Sequence, residues 1–210
     1  MVYREVTMSS GNVVIRPFRE DDMDRAAHIF TMAFGDKMRS LSGLPEEDWA
    51  DLLIESRALP LSAFKGHMVA EVDGQVVGIM ALDWKGKGPP PKVHGKEDRR
   101  FSWRQRWRVR MAQWVVTVRA KPGDLYVQYI GVVPEVQGSG VGTALLAEGE
   151  AIARQRGLMR YTLYVAANND GARRLYERLG FEERGRVRSR VTRRLFGVEH
   201  WLYMVKPLVR

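Results

Sequence analysis

The stretch of sequence from Pro134 to Gly142 reads PEVQGSGVG. A strand-like run, residues 125–133, comes before it, and an amphipathic run, residues 141–156, overlaps its end and follows it. Three glycines at alternate positions let the backbone pass where a Cβ would clash and let it approach a ligand closely. The helix that follows directs its first unpaired N–H groups and the positive end of its dipole toward the space beside these glycines. The pattern therefore predicts an anion site of the kind that holds phosphate or pyrophosphate.

A second signal lies about thirty residues further on, where residues 169–181 read NDGARRLYERLGF. Asn169 is a favourable N-cap and Gly180 a typical C-terminal stop, so the segment predicts a short helix over 170–179. The apolar residues of that helix share one face: Ala172, Leu175, Tyr176 and Leu179. Either stretch alone is a weak indication of function, but both together, in this order and at this spacing, are a strong one.

The two stretches resemble the GNAT superfamily, the acyl-CoA-dependent N-acyltransferases. Residues 137–142 match that family's pyrophosphate loop, Gln/Arg-x-x-Gly-x-Gly/Ala, and residues 169–181 match the segment that follows it, Asn-x-x-Ala-x-x-Leu-Tyr-x-x-x-Gly-Phe. The loop lacks the Gly-Lys-Ser/Thr end of a P-loop and does not fit the Gly-x-Gly-x-x-Gly dinucleotide fingerprint. The resemblance covers most of the chain outside residues 85–121 and the last thirty residues.

Weaker patterns complete the predicted fold. A strand at 13–18, helices at 23–34 and 45–54, and a hairpin with strands 68–72 and 76–82 around Asp73-Gly74 precede residue 85. Strands at 161–165 and 200–205 follow the glycine loop, with an arginine-rich connection between Phe181 and His200. With the resemblance, this order predicts an α/β (α+β) fold: a GNAT-like mixed, mostly antiparallel central sheet flanked by helices on both faces. We expect residues 1–210 to form a single domain with a basic insert at about 85–121.

The resemblance implies an N-acetyltransferase that moves an acetyl group from acetyl-CoA to a primary amine by direct attack. The pyrophosphate would lie on the glycine loop, and the pantetheine arm would pair like an added strand with the backbone of Val132 and Val133. A backbone N–H near Val132 would stabilise the oxyanion. The implied acyl-CoA contacts are Val132, Val133, Gln137, Gly138, Ser139, Gly140, Val141, Gly142, Thr143 and Asn169.

The catalytic residue that the resemblance implies is Tyr176, which would donate a proton to the departing CoA thiolate. The structural alternative is a core tyrosine, since Tyr176 lies on the apolar face of its predicted helix. Asn169 is likewise either a helix N-cap, a CoA contact, or both.

The general base is left open by the sequence. Several relatives carry a glutamate on the strand before the loop, where this chain has Gln128, which cannot take a proton. Glu135, Glu71 and Asp83 are alternatives, each of which has a second interpretation as a solvated surface carboxylate. A base is not needed at all if the substrate amine is already partly neutral.

The net charge of +9 is unevenly distributed. Residues 85–121 hold twelve Lys and Arg against two Asp and Glu, whereas residues 122–183 hold six against eight. The basic segment has an amphipathic pattern over about 101–118, in which tryptophans alternate with arginines. It is interpreted as a helix packed on the domain, a wall of the acceptor site, a homodimer contact, or a contact to nucleic acid or an anionic membrane.

Composition narrows the remaining classes of function. The chain has no cysteine, and its four histidines show no ligand spacing, so no metal is expected. No apolar run is long enough to span a bilayer and the first residues lack a signal-peptide core, which favours a cytoplasmic location. The acceptor amine, of a small molecule or a protein, is not readable from the sequence. A catalytically silent acyl-CoA-binding sensor and a basic nucleic-acid or membrane-surface protein are the alternative functions.

Overall fold

One mixed β-sheet organises the described part of the chain. The computed structural model describes residues 4–8, 11–42, 48, 50–51, 66–84, 118 and 120–208. Its strands are β1 (Arg4–Met8), β2 (Gly11–Pro17), β3 (His67–Val72), β4 (Gln75–Asp83), β5 (Asp124–Val132), β6 (Arg160–Ala166), β7 (Glu182–Arg188) and β8 (His200–Pro207). Its α-helices are α1 (Met23–Ser42), α2 (Val141–Gln155), α3 (Asp170–Arg178) and α4 (Arg190–Phe196).

The strand order in the sheet is β1-β2-β3-β4-β5-β6-β8-β7. Only β5 and β6 are paired in parallel, and every other neighbouring pair is antiparallel. The parallel pair needs a crossover connection, which the glycine loop and α2 supply. The predicted mixed, mostly antiparallel sheet is therefore confirmed. No described helix combines the length and the apolar character needed to cross a bilayer.

Two glycines show which helix covers each face of the sheet. A Cβ on Gly78 would lie 3.2 Å from side-chain carbons of Val141 and Leu145, so α2 packs directly on β4. A Cβ on Gly131 would lie 3.0 Å from the Cβ of Ala33, so α1 packs equally closely on β5. Gly131 pairs with the residue next to Gly78, and neighbouring residues of a strand point to opposite faces. The helices α1 and α2 therefore cover opposite faces, and the core lies between each of them and the sheet.

The structure differs from the sequence-based expectations in three places. The first helix continues to Ser42 instead of ending near residue 34, because a single glycine does not terminate a helix without a favourable cap. Strand β1 was not predicted, since it is defined by its pairing with β2. The arginine-rich connection was expected to lack a helix, but part of it forms α4. This helix follows the N-cap Ser189, and Gly197, in the left-handed conformation with φ 68°, is its C-cap.

Two predicted helices lie mainly outside the described residues. In the predicted helix at 45–54, only Asp48, Ala50 and Asp51 are described, and all three are helical. In the amphipathic segment at about 101–118, only Val118 is described. The predicted single domain with an insert at 85–121 therefore stays a prediction.

A buried ion-pair network joins β2 to the start of α1. Arg16 donates two hydrogen bonds to the Asp22 carboxylate, at 2.7 and 2.8 Å, and both side chains are buried. Arg16 also donates to Glu71 Oε2 at 2.6 Å, and the Arg19 N–H donates to Asp22 Oδ2 at 2.7 Å. Burial alone would raise the pKa of Asp22, but the hydrogen bonds from Arg16 and Arg19 outweigh it, so its pKa lies below the ordinary value.

Asp22→Asn is expected to lower the free energy of unfolding by about 2 kcal/mol, because the buried Arg16 loses its bidentate partner but keeps Glu71. The Asp22 pKa is lower in the folded than in the unfolded chain. Its stabilising contribution is therefore complete above the unfolded pKa of about 4 and is lost as the pH falls through the folded pKa. Urea denaturation from about pH 7 down to pH 2 should show the two proteins converging. Asp21→Asn, at an exposed neighbour, is the control and should change stability by less than about 0.5 kcal/mol. An equally stable Asp22→Asn protein would contradict the prediction.

Candidate active site

A gap opens in the sheet between β5 and β6. Their parallel ladder runs from Asp124 opposite Arg160 to Val127 opposite Leu163 and stops there. Strand β5 nevertheless continues for residues 128–132, and β6 continues for residues 164–166. Beyond the ladder, the gap-facing backbone groups of both strands are no longer joined to each other. Such groups can hydrogen-bond an extended ligand as if it were an inserted strand.

A β-bulge lies where the two strands part. Ala81 is opposite Tyr129 and Leu82 is opposite Val127, so Gln128 has no partner on β4. The extra residue bends β5 and increases its twist, which carries the strand away from β6. The Gln128 side chain donates to the Val118 carbonyl at 2.7 Å, so it anchors the end of the basic segment to the bulge.

The backbone of Val132, rather than that of Val133, faces the gap. The Val133 N–H donates to the Val77 carbonyl at 2.9 Å and is thus committed to β4. Alternation along an antiparallel ladder directs the N–H groups of Ile130 and Val132 to the opposite side, toward β6. The Val133 N–H therefore points away from the gap and the Val132 N–H points toward it, while the pairing of a pantetheine arm with the backbone of these two residues stays a prediction.

The glycine loop ends at an uncapped helix N-terminus. Gly140 is the N-cap of α2 in the left-handed conformation, with φ 100° and ψ −5°, and no side chain caps the helix. The first intrahelical hydrogen bond runs from the Ala144 N–H to the Gly140 carbonyl at 2.9 Å, so the N–H groups of Val141, Gly142 and Thr143 precede it. No acidic residue lies in the first turn. These donors and the helix dipole form a site for an anion.

The loop is held in place by its own polar groups. Ser139 Oγ donates to the Val136 carbonyl at 2.7 Å, and Gln137 Nε2 donates to the Val132 carbonyl at 3.2 Å. A Cβ on Gly142 would lie 3.5 Å from the Leu175 side chain and 4.0 Å from that of Val132. The start of α2 therefore lies against both α3 and the end of β5, which brings the anion site to the mouth of the gap.

Helix α3 begins at the predicted residue, with Asn169 as its N-cap. Asn169 Oδ1 accepts a hydrogen bond from the Ala172 N–H at 3.1 Å, and the Asn169 side chain is exposed. The capping role is therefore confirmed, while contact with CoA stays a prediction.

Tyr176 lies on the buried face of α3. Its ring contacts Phe181 at a centroid distance of 5.8 Å, and only 6% of the residue is exposed. Burial raises the pKa of Tyr176 to about 12, so the phenol keeps its proton throughout the physiological pH range. Complete proton transfer to a thiolate of pKa about 8.5 is uphill from such a phenol, whereas a hydrogen bond to the developing thiolate is favourable.

The three alternative carboxylates are not gathered at the gap. Glu71 is paired with Arg16, on a strand two positions away from β5. Asp83 is buried, accepts the Ala120 N–H at 3.0 Å, and pairs in register with Tyr126, in the part of β5 that is still joined to β6. Glu135 is exposed, in the short 3₁₀ turn at Pro134–Val136. Among the described residues, no three His, Asp or Glu side chains are grouped so that they could hold a metal ion.

The sequence pattern does not single out Tyr129, whose side chain lies on the α1 face of β5. Its ring packs edge-to-face on Phe30 at 5.2 Å and lies 6.0 Å from the His67 ring. The alternation of the predicted strand could have placed it on that face, but no pattern reveals the neighbours that α1 and β3 bring to it.

A cavity of about 290 Å³ lies at the other end of the sheet, away from the glycine loop. It is lined by Lys121, Arg160, Arg184, Tyr203, Val205 and Pro207. Arg160 pairs with Asp124 and Arg184 pairs with Glu182, each at 2.6 Å, so much of its positive charge is neutralised. None of the residues that line this cavity belongs to the glycine loop, so the cavity is not part of the anion site at the start of α2.

The sequence of the chain matches a known protein family. Residues 26–181 match the model of the acetyltransferase (GNAT) family, which is about three quarters of the chain. The chain belongs to this family. The matched region includes both the glycine loop and α3, so the resemblance inferred from these two segments is confirmed.

One curated relative illustrates the similarity in sequence. The chain is 31% identical to a mycothiol acetyltransferase of Beutenbergia cavernae over 163 residues, which are 75% of this chain and 49% of that protein. It thus spans about half the length of the curated relatives that it matches.

The solved structures are similar in fold. The ribosomal-protein-S18-alanine N-acetyltransferase of Escherichia coli has a TM-score of 0.54 at 19% identity, with 94% of this chain and 95% of that chain covered. The PaiA N-acetyltransferase of Thermoplasma acidophilum in complex with coenzyme A has a TM-score of 0.55 at 14% identity, with 93% and 98% covered. These similarities establish a GNAT fold for the described residues.

Proposed function

We propose that this GNAT protein is an N-acetyltransferase that moves an acetyl group from acetyl-CoA to a primary amine of a small molecule or a protein. The observation that carries the proposal is the combination of a gap between β5 and β6 with an uncapped helix N-terminus at its mouth. One part suits an extended, hydrogen-bonding arm and the other suits a pyrophosphate, and CoA has both at a fixed spacing.

The described residues fit acetyl-CoA in two respects. The N–H groups that precede the first hydrogen bond of α2 can bind the pyrophosphate, and no carboxylate in the first turn opposes it. The N–H and carbonyl of Val132 face the gap and can pair with the amide groups of the pantetheine arm. The Gln137 side chain, which contacts the Val132 carbonyl, would move when the arm pairs there.

The chain's own groups can then assist acyl transfer. Acetyl-CoA supplies an activated acyl group as a thioester. The backbone N–H of Ile130 or Val132 can donate a hydrogen bond to the thioester carbonyl oxygen as it gains negative charge. A neutral amine attacks the carbonyl carbon, and as the C–S bond breaks Tyr176 donates a hydrogen bond to the sulfur, which leaves as the CoA thiolate and takes up a proton from solvent. The proton that the amine loses passes to solvent or to a group that the described residues do not identify.

Calorimetric titration with acetyl-CoA is the first test, and we expect one site per chain with a dissociation constant in the micromolar range. Turnover is then measured as thiol release in the presence of primary amines. The chain has no cysteine, so every thiol detected comes from CoA. Binding with amine-dependent thiol release supports the proposal. Binding without release from any amine would favour the acyl-CoA sensor, and no binding would overturn the acetyl-CoA assignment.

A further inference from the structure

A row of tyrosine side chains lies on the face of the sheet opposite to α2. Tyr164 of β6 pairs in register with Tyr203 of β8, and their ring centroids lie 5.0 Å apart. Tyr126 of β5 is the third member, with its ring centroid 6.3 Å from that of Tyr164. Tyr161 packs on Gly149 of α2, and Tyr164, three residues further along the same strand, points to the other face. Tyr164 and Tyr203 are both only partly buried, so a ligand can reach them.

The row begins at the closed end of the gap. The β5–β6 ladder ends where Val127 is opposite Leu163, and Tyr164 is the next residue of β6. An acyl-CoA bound as proposed has its pyrophosphate at the start of α2 and its arm along β5, from Val132 toward Gln128. These four residue steps span about 13 Å, so an extended arm brings the thioester toward the closed end. Because α2 covers the other face, the acceptor amine approaches beside Tyr164.

The other end of the row lies in the basic cavity. Tyr203 lines this cavity together with Arg160 and the end of β8. Arg160 lies four residues before Tyr164 on β6, on the same face and about 13 Å away. In β8, Val205 and Pro207 follow Tyr203 at alternate positions and continue that face. One continuous surface therefore connects the closed end of the gap to the cavity.

The cavity keeps one positive charge in excess. Arg160 uses only its Nε for Asp124, so its terminal nitrogens have no partner in the described part of the chain. Lys121, which also lines the cavity, is paired with no carboxylate of the described residues. The third cation, Arg184, pairs with Glu182 at an exposed position. Three cations against two carboxylates suit one further anionic group of single charge.

We propose that the acceptor is a primary amine that carries a carboxylate about 13 Å away. The amine lies beside Tyr164, and the carboxylate is bound by Lys121 and the terminal nitrogens of Arg160. Lys121 Nζ is 5.4 Å from the centroid of the Tyr203 ring, so its charge lies at the end of the row. This inference rests on the proposed acetyl transfer and specifies the class of acceptor. An extended peptide of about four residues has the required span between its amino group and its carboxylate.

The test compares tetraalanine with tetraalanine amide, which has the same amino group but no carboxylate. Thiol release from acetyl-CoA is measured with each peptide in the unsubstituted protein and in Lys121→Gln. We expect kcat/KM for tetraalanine to exceed that for the amide at least about tenfold, the factor for a charge-assisted hydrogen bond. Lys121→Gln should reduce this ratio to less than about threefold, and Lys121→Glu should reverse it. The KM for acetyl-CoA should stay the same in all three proteins.

Two controls separate this site from general attraction by a basic protein. Arg178→Gln removes the same charge from an exposed position on α3, outside the cavity, and should keep the preference for the carboxylate. Dialanine and its amide have the same end groups over about half the span, so the carboxylate cannot reach the cavity while the amine lies at the gap. The ratio of their kcat/KM values should stay within about twofold in every variant.

Several results would overturn the inference and leave acetyl transfer intact. They are equal kcat/KM values for tetraalanine and its amide, an equal loss of preference in Arg178→Gln, and a preference of the same size with dialanine. If neither tetrapeptide releases thiol although acetyl-CoA binds, calorimetric titration of the CoA-saturated protein with both peptides decides. Tighter binding of the carboxylate form that is lost in Lys121→Gln supports the inference, and any other result overturns it. Failure of acetyl-CoA binding itself refutes the proposed function instead.

Discussion

Gly140→Glu is expected to weaken acetyl-CoA binding at least about 1000-fold. Gly140 is the N-cap of α2 and has φ 100°, where L-residues are strained, so a side chain there displaces the loop from its conformation. The new carboxylate would also lie at the positive end of the helix, where it competes with a pyrophosphate for the same N–H groups and repels it. Calorimetric titration of both proteins with acetyl-CoA measures the difference.

Gly157→Glu is the matched control for this experiment. Gly157 lies at the other end of α2 and also has a positive φ, 64°, and an added Cβ there meets no atom within 4 Å. Both substitutions place the same side chain on left-handed backbone, at a cost of about 1–2 kcal/mol in stability. Only Gly140→Glu should lose affinity. Equal affinities of the two variants would show that the start of α2 does not bind the pyrophosphate.

The glycine loop could be predicted from the sequence because its signals are local. The strand before it, the helix after it and the N-cap Asn169 of the next helix lie within one residue of their expected positions. Caps, glycines and apolar periodicity act over a few residues, so a linear pattern contains them in full.

The gap itself could not be predicted, because it depends on where a ladder between distant strands ends. The Gln128 bulge is visible only once the registers of β4 and β5 are known. The direction of the Val133 N–H could not be predicted either, because it donates to the carbonyl of Val77, fifty-six residues earlier in the chain. It also explains Glu71, a plausible base until folding pairs it with Arg16. Each outcome is a long-range contact that no local pattern encodes.

Tyr176→Phe is expected to lower kcat about 100-fold with little change in acetyl-CoA affinity. A hydrogen bond to a developing thiolate is a bond to a charged group, and such bonds are worth about 1.5–3 kcal/mol. The interaction exists only as the sulfur gains charge, so its loss affects kcat rather than binding of the substrate. Steady-state thiol release at saturating acetyl-CoA and amine measures the effect.

The pH dependence should reflect the raised pKa of Tyr176. With a pKa of about 12, the phenol stays protonated up to about pH 10.5, so the rate should rise as the amine loses its proton and then stay level. A phenol of ordinary pKa, about 10, would instead begin to lose activity within this range. Tyr176→Phe should give a profile of the same shape at a lower level, because the group that it removes does not titrate there.

Tyr161→Phe separates the hydroxyl group of Tyr176 from the packing of its ring. Tyr161 and Tyr176 are both buried and both contact Phe181, at centroid distances of 5.1 and 5.8 Å. Among the residues that the structure describes, the Tyr161 hydroxyl donates only to the Met80 sulfur, at 3.8 Å, and a thioether is a weak acceptor, so removal of this hydroxyl costs little. If Tyr161→Phe keeps full activity and Tyr176→Phe does not, the loss belongs to the Tyr176 hydroxyl. If Tyr176→Phe keeps full activity over the whole pH range, the leaving thiolate does not depend on a hydrogen bond from Tyr176, and Tyr176 is a core residue of α3.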